Sequence, residues 1–151
     1  MADYSRFAAA RIPHGIMFHH FHGSGHPVVQ GSIDAEQLIR MIEFISEQHR
    51  ILDAREWLDK ALAGRLDTSD LCLTFDDSLL CQRDVAVPVI KQLGIKAFFF
   101  VYSSVFQGNI EPLEVYRSFR TRYFDSVDAF YDLFFEKIET SEYATAYTRA
   151  M

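Results

Sequence analysis

Positive charge is in short supply: 15 Lys and Arg stand against 21 Asp and Glu, a net charge of −6. With no basic stripe to displace counterions from a phosphate backbone, nucleic acid is not an expected partner. Cysteine is scarce too. Cys72 and Cys81 fit neither zinc nor redox spacing, and two lone thiols suit a reducing compartment. The longest apolar run, Ala97 to Tyr102, falls far short of the ~20 residues that a membrane-spanning helix needs. Met1-Ala2-Asp3-Tyr4-Ser5-Arg6 has neither a basic leader nor an apolar core, so no signal peptide is expected and the cytoplasm is the expected location. Linkers, repeats and low-complexity tracts are also lacking. The 151 residues are therefore expected to form a single domain.

What is present is organised around Leu71-Cys72-Leu73-Thr74-Phe75-Asp76-Asp77-Ser78. A short apolar run with β-branched and aromatic members reads as a buried strand, and it stops at two adjacent carboxylates. Burying an ionised carboxylate is costly unless it is paired or holds a metal. The doublet is therefore either a turn that caps the next helix or a carboxylate pair at the carboxyl edge of an α/β sheet, where such folds place their chemistry.

The rest of the chain alternates strand and helix. Residues 7–11 allow a helical lead-in, stopped by Pro13, and Gly15 to Phe18 reads as a strand. Asp34 with Gln37 forms a capping-box variant before an amphipathic helix over Ala35 to Gln48. Arg50 to Leu52 supplies a short strand. Asp53 with Glu56 is expected to cap a second helix, which Gly64 ends. Val85, Val89, Ile90 and Leu93 mark a third helix, with Pro88 at its first turn or kinking it and Gly94 as its cap. Ile95 to Val101 reads as a strand covered on both faces. This order predicts a right-handed parallel α/β wind. In the tail, Tyr116, Phe119, Tyr123, Val127, Phe130, Phe134 and Ile138 recur at helical steps, predicting core-facing helices broken at Asp125-Ser126.

Five of the six histidines, His14, His19, His20, His22 and His26, precede position 27, and none follows His49. Neutral imidazoles in the loop after the first strand are competent metal ligands, whereas His14 and His49 read as structural. Cys72, mid-strand, reads as a small buried hydrophobe. Tyr116, Arg117 and Arg120 read as a solvated helix face.

Leu73-Thr74-Phe75-Asp76-Asp77 resembles the Thr-Phe-Asp-Asp-Gly signature of the polysaccharide deacetylases, carbohydrate esterase family 4 (the NodB type). Ile16-Met17-Phe18-His19 is similar to that family's early strand, and residues 88–101 resemble its helix, glycine and strand after the doublet. The likeness covers residues 12–106, with 112–151 as a helical tail. It implies the first half of a distorted (β/α) barrel and metal-dependent hydrolysis of the N-acyl group of an amino sugar in surface-glycan precursor metabolism. Asp76 would be the general base and Asp77 a ligand of a divalent metal, zinc first. Ser78 stands where the family has glycine, and the family's downstream His motif has no counterpart. His20 and His22 are then the substitute metal ligands, with His19 and His26 nearby. The alternatives are a non-catalytic binding or scaffolding module that has lost the metal set, and an unrelated metal-dependent hydrolase using only the early histidines. A count of parts predicts little turnover by these 151 residues alone. Open sheet edges and the aromatic tail predict a homodimer, with the Phe119 to Phe135 region near the contact.

Overall fold

The computed structural model describes residues 12–142, 144 and 145. The lead-in helix expected over Phe7 to Arg11 lies outside the described residues. The described chain falls into two compact units that divide after Tyr102.

The first unit is a parallel α/β sheet, as the alternation predicts. β1 (His14–Phe18) pairs along its whole length with β3 (Asp70–Phe75), from His14 opposite Leu71 to Phe18 opposite Phe75. On the other edge, β2 (Arg50–Ile51) meets the start of β3 and β4 (Phe98–Phe99) meets its end. The carbonyls of Leu71 and Phe75 point to the same side of β3. The first accepts the Leu52 N–H at 2.8 Å and the second the Phe100 N–H at 2.8 Å. All pairings are parallel.

This shared edge corrects the strand expected over Ile95 to Val101. Only Phe98–Phe99 is paired, because the upstream part of that edge belongs to β2. Ile95 N–H instead closes on Ile90 O at 2.8 Å, and Lys96 N–H reaches Asp53 Oδ1 at 3.3 Å.

Alternation along the strands sends Ile16, Phe18, Leu71, Leu73 and Phe75 to one face. They pack with Leu38 and Ile42 of α1 (Ala35–Ser46) and with Val85, Ala86, Val89 and Ile90. Phe75 is fully buried and stacks on Phe18 at 5.6 Å and on Phe99 at 4.9 Å, which joins three strands at one end of the sheet. The Asp34 capping box forms as expected. Gln37 N–H donates to Asp34 Oδ1 at 2.7 Å, and Asp34 N–H donates to Gln37 Oε1 at 2.8 Å. The second cap does not. Asp53 precedes α2 (Ala54–Leu62), but its carboxylate takes the Lys96 ammonium at 3.0 Å in place of an α2 amide.

After β3 the chain turns into a helix from Leu80 that widens to a π-helical stretch over Gln82–Ala86 and continues as α3 (Val87–Gln92). Pro88 lacks the N–H that an α-helix would aim at Asp84 O, and the turn before it opens so that Val87 N–H reaches Gln82 O.

At the other end of β3, Asp70 is fully buried. Arg50 Nη2 donates to Oδ1 at 2.7 Å, while Lys60 and the Asp67 N–H, the latter at 2.9 Å, donate to Oδ2. Burial alone would raise this carboxyl, but the hydrogen bonds from Lys60, the Asp67 amide and Arg50 outweigh it and hold the pKa at about 2. Cys72 is buried, and burial pushes its thiol pKa up.

The second unit has a 3-10 turn (Ser103–Gln107) and two helices, α4 (Pro112–Tyr123) and α5 (Val127–Glu139). The break falls where expected: Ser126 caps α5, its Oγ accepting the Ala129 N–H at 3.0 Å. The core-facing reading of the aromatic stripe is corrected. No side chain of either helix is buried, and Tyr116 and Tyr123 are 66% and 73% exposed. The rings instead contact one another, Phe119 with Phe124 at 5.7 Å and Phe124 with Phe130 at 5.1 Å. One helix pair has too few layers to enclose both apolar stripes. No helix among the described residues is long and apolar enough to cross a membrane.

Candidate active site at the carboxyl edge of the sheet

Because β1 and β3 run parallel and in register, their last residues, Phe18 and Phe75, lie side by side. The ladder ends with Asp76 N–H donating to Phe18 O at 3.1 Å. His19 and the Asp76-Asp77 doublet therefore leave the sheet at the same edge.

The doublet does not continue the strand. Asp77 has φ +75° and Ser78 φ +51°, both in the left-handed region that side chains disfavour. The chain thus makes this left-handed turn without glycine. This turn brings the Asp77 carboxylate, 14% exposed, to His19, whose Nε2 lies 3.9 Å from Asp77 Oδ2. Asp76 Oδ1 is buried and accepts no hydrogen bond from the protein.

Two other loop histidines have partners of their own. Phe21 is buried beneath the loop, which Gly23 and His26 close through paired backbone hydrogen bonds. His22 lies over the N-terminus of α1: Nδ1 is 3.0 Å from Ser32 Oγ, and Nε2 is 3.9 Å from Asp34 Oδ2. Ser32 Oγ also donates to Val29 O at 2.8 Å. His26 Nε2 contacts Asp84 Oδ2 at 3.0 Å, tying the loop to the π-helical stretch. His20 carries the carbonyl that accepts the Ile33 N–H at 3.2 Å. Outside the loop, the His14 ring meets His49 edge-on at 5.6 Å.

Asp77 thus has the His19 imidazole beside it, while the His22 ring contacts Ser32 and Asp34. Among the described residues, no group of three or more His, Cys, Asp or Glu side chains comes together as a metal cage. Neighbouring ligand atoms in a tetrahedral zinc site stand roughly 3.3 Å apart at bond lengths of ~2.0–2.1 Å. The 3.9 Å between His19 Nε2 and Asp77 Oδ2 is somewhat longer than that, and both are side-chain types that ligate zinc.

Sequence reasoning passed over Gln82. Its side chain is 1% exposed, and its Nε2 donates both to His19 O, at 2.9 Å, and to Asp76 O. Its Oε1 is buried without a protein partner. A lone glutamine six residues after Asp76 carries no pattern in sequence, and only the fold reveals its two carbonyls. Comparison of the chain with protein-family models, with curated proteins and with solved structures gives no match.

Proposed function

We propose that this chain carries a polysaccharide-deacetylase-type site that hydrolyses the N-acyl group of an amino sugar, or of a sugar precursor, with a divalent metal, zinc first. The observation that carries the reading is the pairing of a free buried oxygen on Asp76 with an Asp77 carboxylate turned toward His19, all at one sheet edge. Asp77 and His19 would hold the metal, which when bound polarises the acyl carbonyl and acidifies a water. Asp76 Oδ1 receives the proton of the attacking water, since no protein donor competes for it. The adjacent carboxylates divide these tasks: the left-handed turn separates their directions, so one can act as base while the other binds. Cytoplasmic action on a glycan precursor and a homodimeric state belong to the same proposal.

One observation favours a second reading, a non-catalytic binding module. Among the described residues no group of three or more His, Cys, Asp or Glu side chains comes together, whereas catalytic zinc commonly has three protein ligands. Acetate release from an N-acetylated amino-sugar oligomer, with and without added zinc, separates the two. The first reading expects slow, zinc-dependent release that Asp76→Asn abolishes. Release at the uncatalysed rate, with no zinc retained by the chain, supports the second.

A further inference from the structure

We infer that Gln82 is a positioning residue of this site: its buried amide fixes the two peptides from which His19 and Asp77 turn toward each other. The inference rests on the reading of Asp76, Asp77 and His19 given above.

The ladder between β1 and β3 ends at the bond from Asp76 N–H to Phe18 O. Beyond that point Gln82 supplies the next cross-link, a side-chain amide in place of a strand. One hydrogen of Nε2 goes to His19 O at 2.9 Å and the other to Asp76 O. These carbonyls belong to the His19–His20 and Asp76–Asp77 peptides. A peptide is planar, so gripping its oxygen fixes the orientation of the whole unit. The Asp76–Asp77 plane is the one from which Asp77 departs at φ +75°, a conformation that a residue with a side chain keeps only when its surroundings impose it. The same amide holds the peptide leaving His19. A single side chain thus ties together the backbone beneath both partners of the 3.9 Å pair.

The chemistry of the amide supports a dedicated role. Two carbonyls demand the nitrogen end, so the oxygen end is left buried and unmatched by protein. An apolar side chain of the same shape would fill the space without burying an unmatched acceptor, but could not grip the carbonyls. Gln82 also opens the π-helical stretch, a widening that recurs at functional sites.

The test compares wild type with Gln82→Met, close in shape and without donors. Two readouts are used: exchange of the Asp76 amide hydrogen relative to Thr74 in the same strand, and cobalt(II) binding followed by its visible absorption. We expect Asp76 exchange to accelerate about tenfold or more while Thr74 changes little, because the opening is local. Cobalt(II) affinity should fall by about tenfold or more, as when other supports of a metal ligand are removed. Equal acceleration at both amides, or none at either, would overturn the inference, since Gln82 would then serve general stability or nothing. Absence of cobalt(II) binding by wild type would instead remove the metal reading, and the exchange comparison would still decide the role of Gln82. If Gln82→Met does not fold, Gln82→Glu takes its place. Its carboxylate offers no donor, but its protonated form regains one, so Asp76 protection should rise as pH falls through the titration of that carboxyl, which burial and the two carbonyls raise above the ordinary glutamate value. Protection independent of pH would contradict the proposal.

Discussion

His19 Nε2 stands 3.9 Å from Asp77 Oδ2, across the ends of two parallel strands that are in register to their last residues. The pair joins residues 58 positions apart, and it depends on three features of the chain. The register of Phe18 with Phe75 brings the strand ends level. The left-handed turn at Asp77 and Ser78 swings the carboxylate back, and Gln82 holds the carbonyls on both sides.

The turn gives the first prediction. Ser78 holds φ +51°, a conformation that costs a side-chain-bearing residue about 1 kcal/mol, part of which glycine forfeits through its freer unfolded chain. Ser78→Gly should therefore raise unfolding stability by about 0.5 kcal/mol, read from urea denaturation. A loss of stability would show that the weak contact of Ser78 Oγ with Phe100 O, 3.4 Å long, matters more than the strain.

Asp70 gives the second. Its carboxyl, with a pKa of about 2, lies below the ordinary 3.8, so its contribution is fully present above about pH 4 and drains away as pH falls toward 2. The difference corresponds to about 1–2 kcal/mol once the solvent contact of Arg50 is discounted. Asp70→Asn should destabilise the fold at pH 7 and flatten the acid limb of the stability curve between pH 4 and 2. An unchanged acid limb in that variant would contradict the assignment.

How much of this was legible beforehand follows from where each signal is stored. The strand before Asp76, the Asp34 capping box and the helix break at Ser126 are local devices, written in adjacent residues, and each stands close to where sequence puts it. The shortened β4 is not local: Ile95 to Ala97 are apolar enough for a strand, but β2 already occupies that stretch of the β3 edge. Asp53 looks like a cap because its spacing to Glu56 fits one, yet Lys96 offers it a full charge. The choice among clustered histidines was equally illegible. Ser32 and Asp34 contact His22, Asp84 meets His26, and His19 lies beside Asp77.

The capping box gives a third prediction. Asp34→Ala removes the acceptor for Gln37 N–H and the carboxylate beside His22. We expect a loss of about 1 kcal/mol, measured by thermal or urea unfolding, with the sheet otherwise intact. A loss near zero would mean that the capping bond adds nothing to the stability of α1.

The tail gives a fourth. The exposed rings of Tyr116, Phe119 and Tyr123 form an apolar surface larger than a lone residue would present. Sedimentation at increasing concentration should show a homodimer, and Phe119→Ser should shift it toward monomer. A strict monomer at high concentration would remove the dimer from the account.

The central claim is that Asp77 and His19 together bind a divalent metal. It is tested most directly by equilibrium dialysis of the purified chain against zinc, alongside Asp77→Ala and His19→Ala. The account predicts one zinc per wild-type chain, bound weakly because two side chains hold it, and loss of that binding in both variants. Zinc binding unchanged by both substitutions, or no binding by wild type, would contradict it.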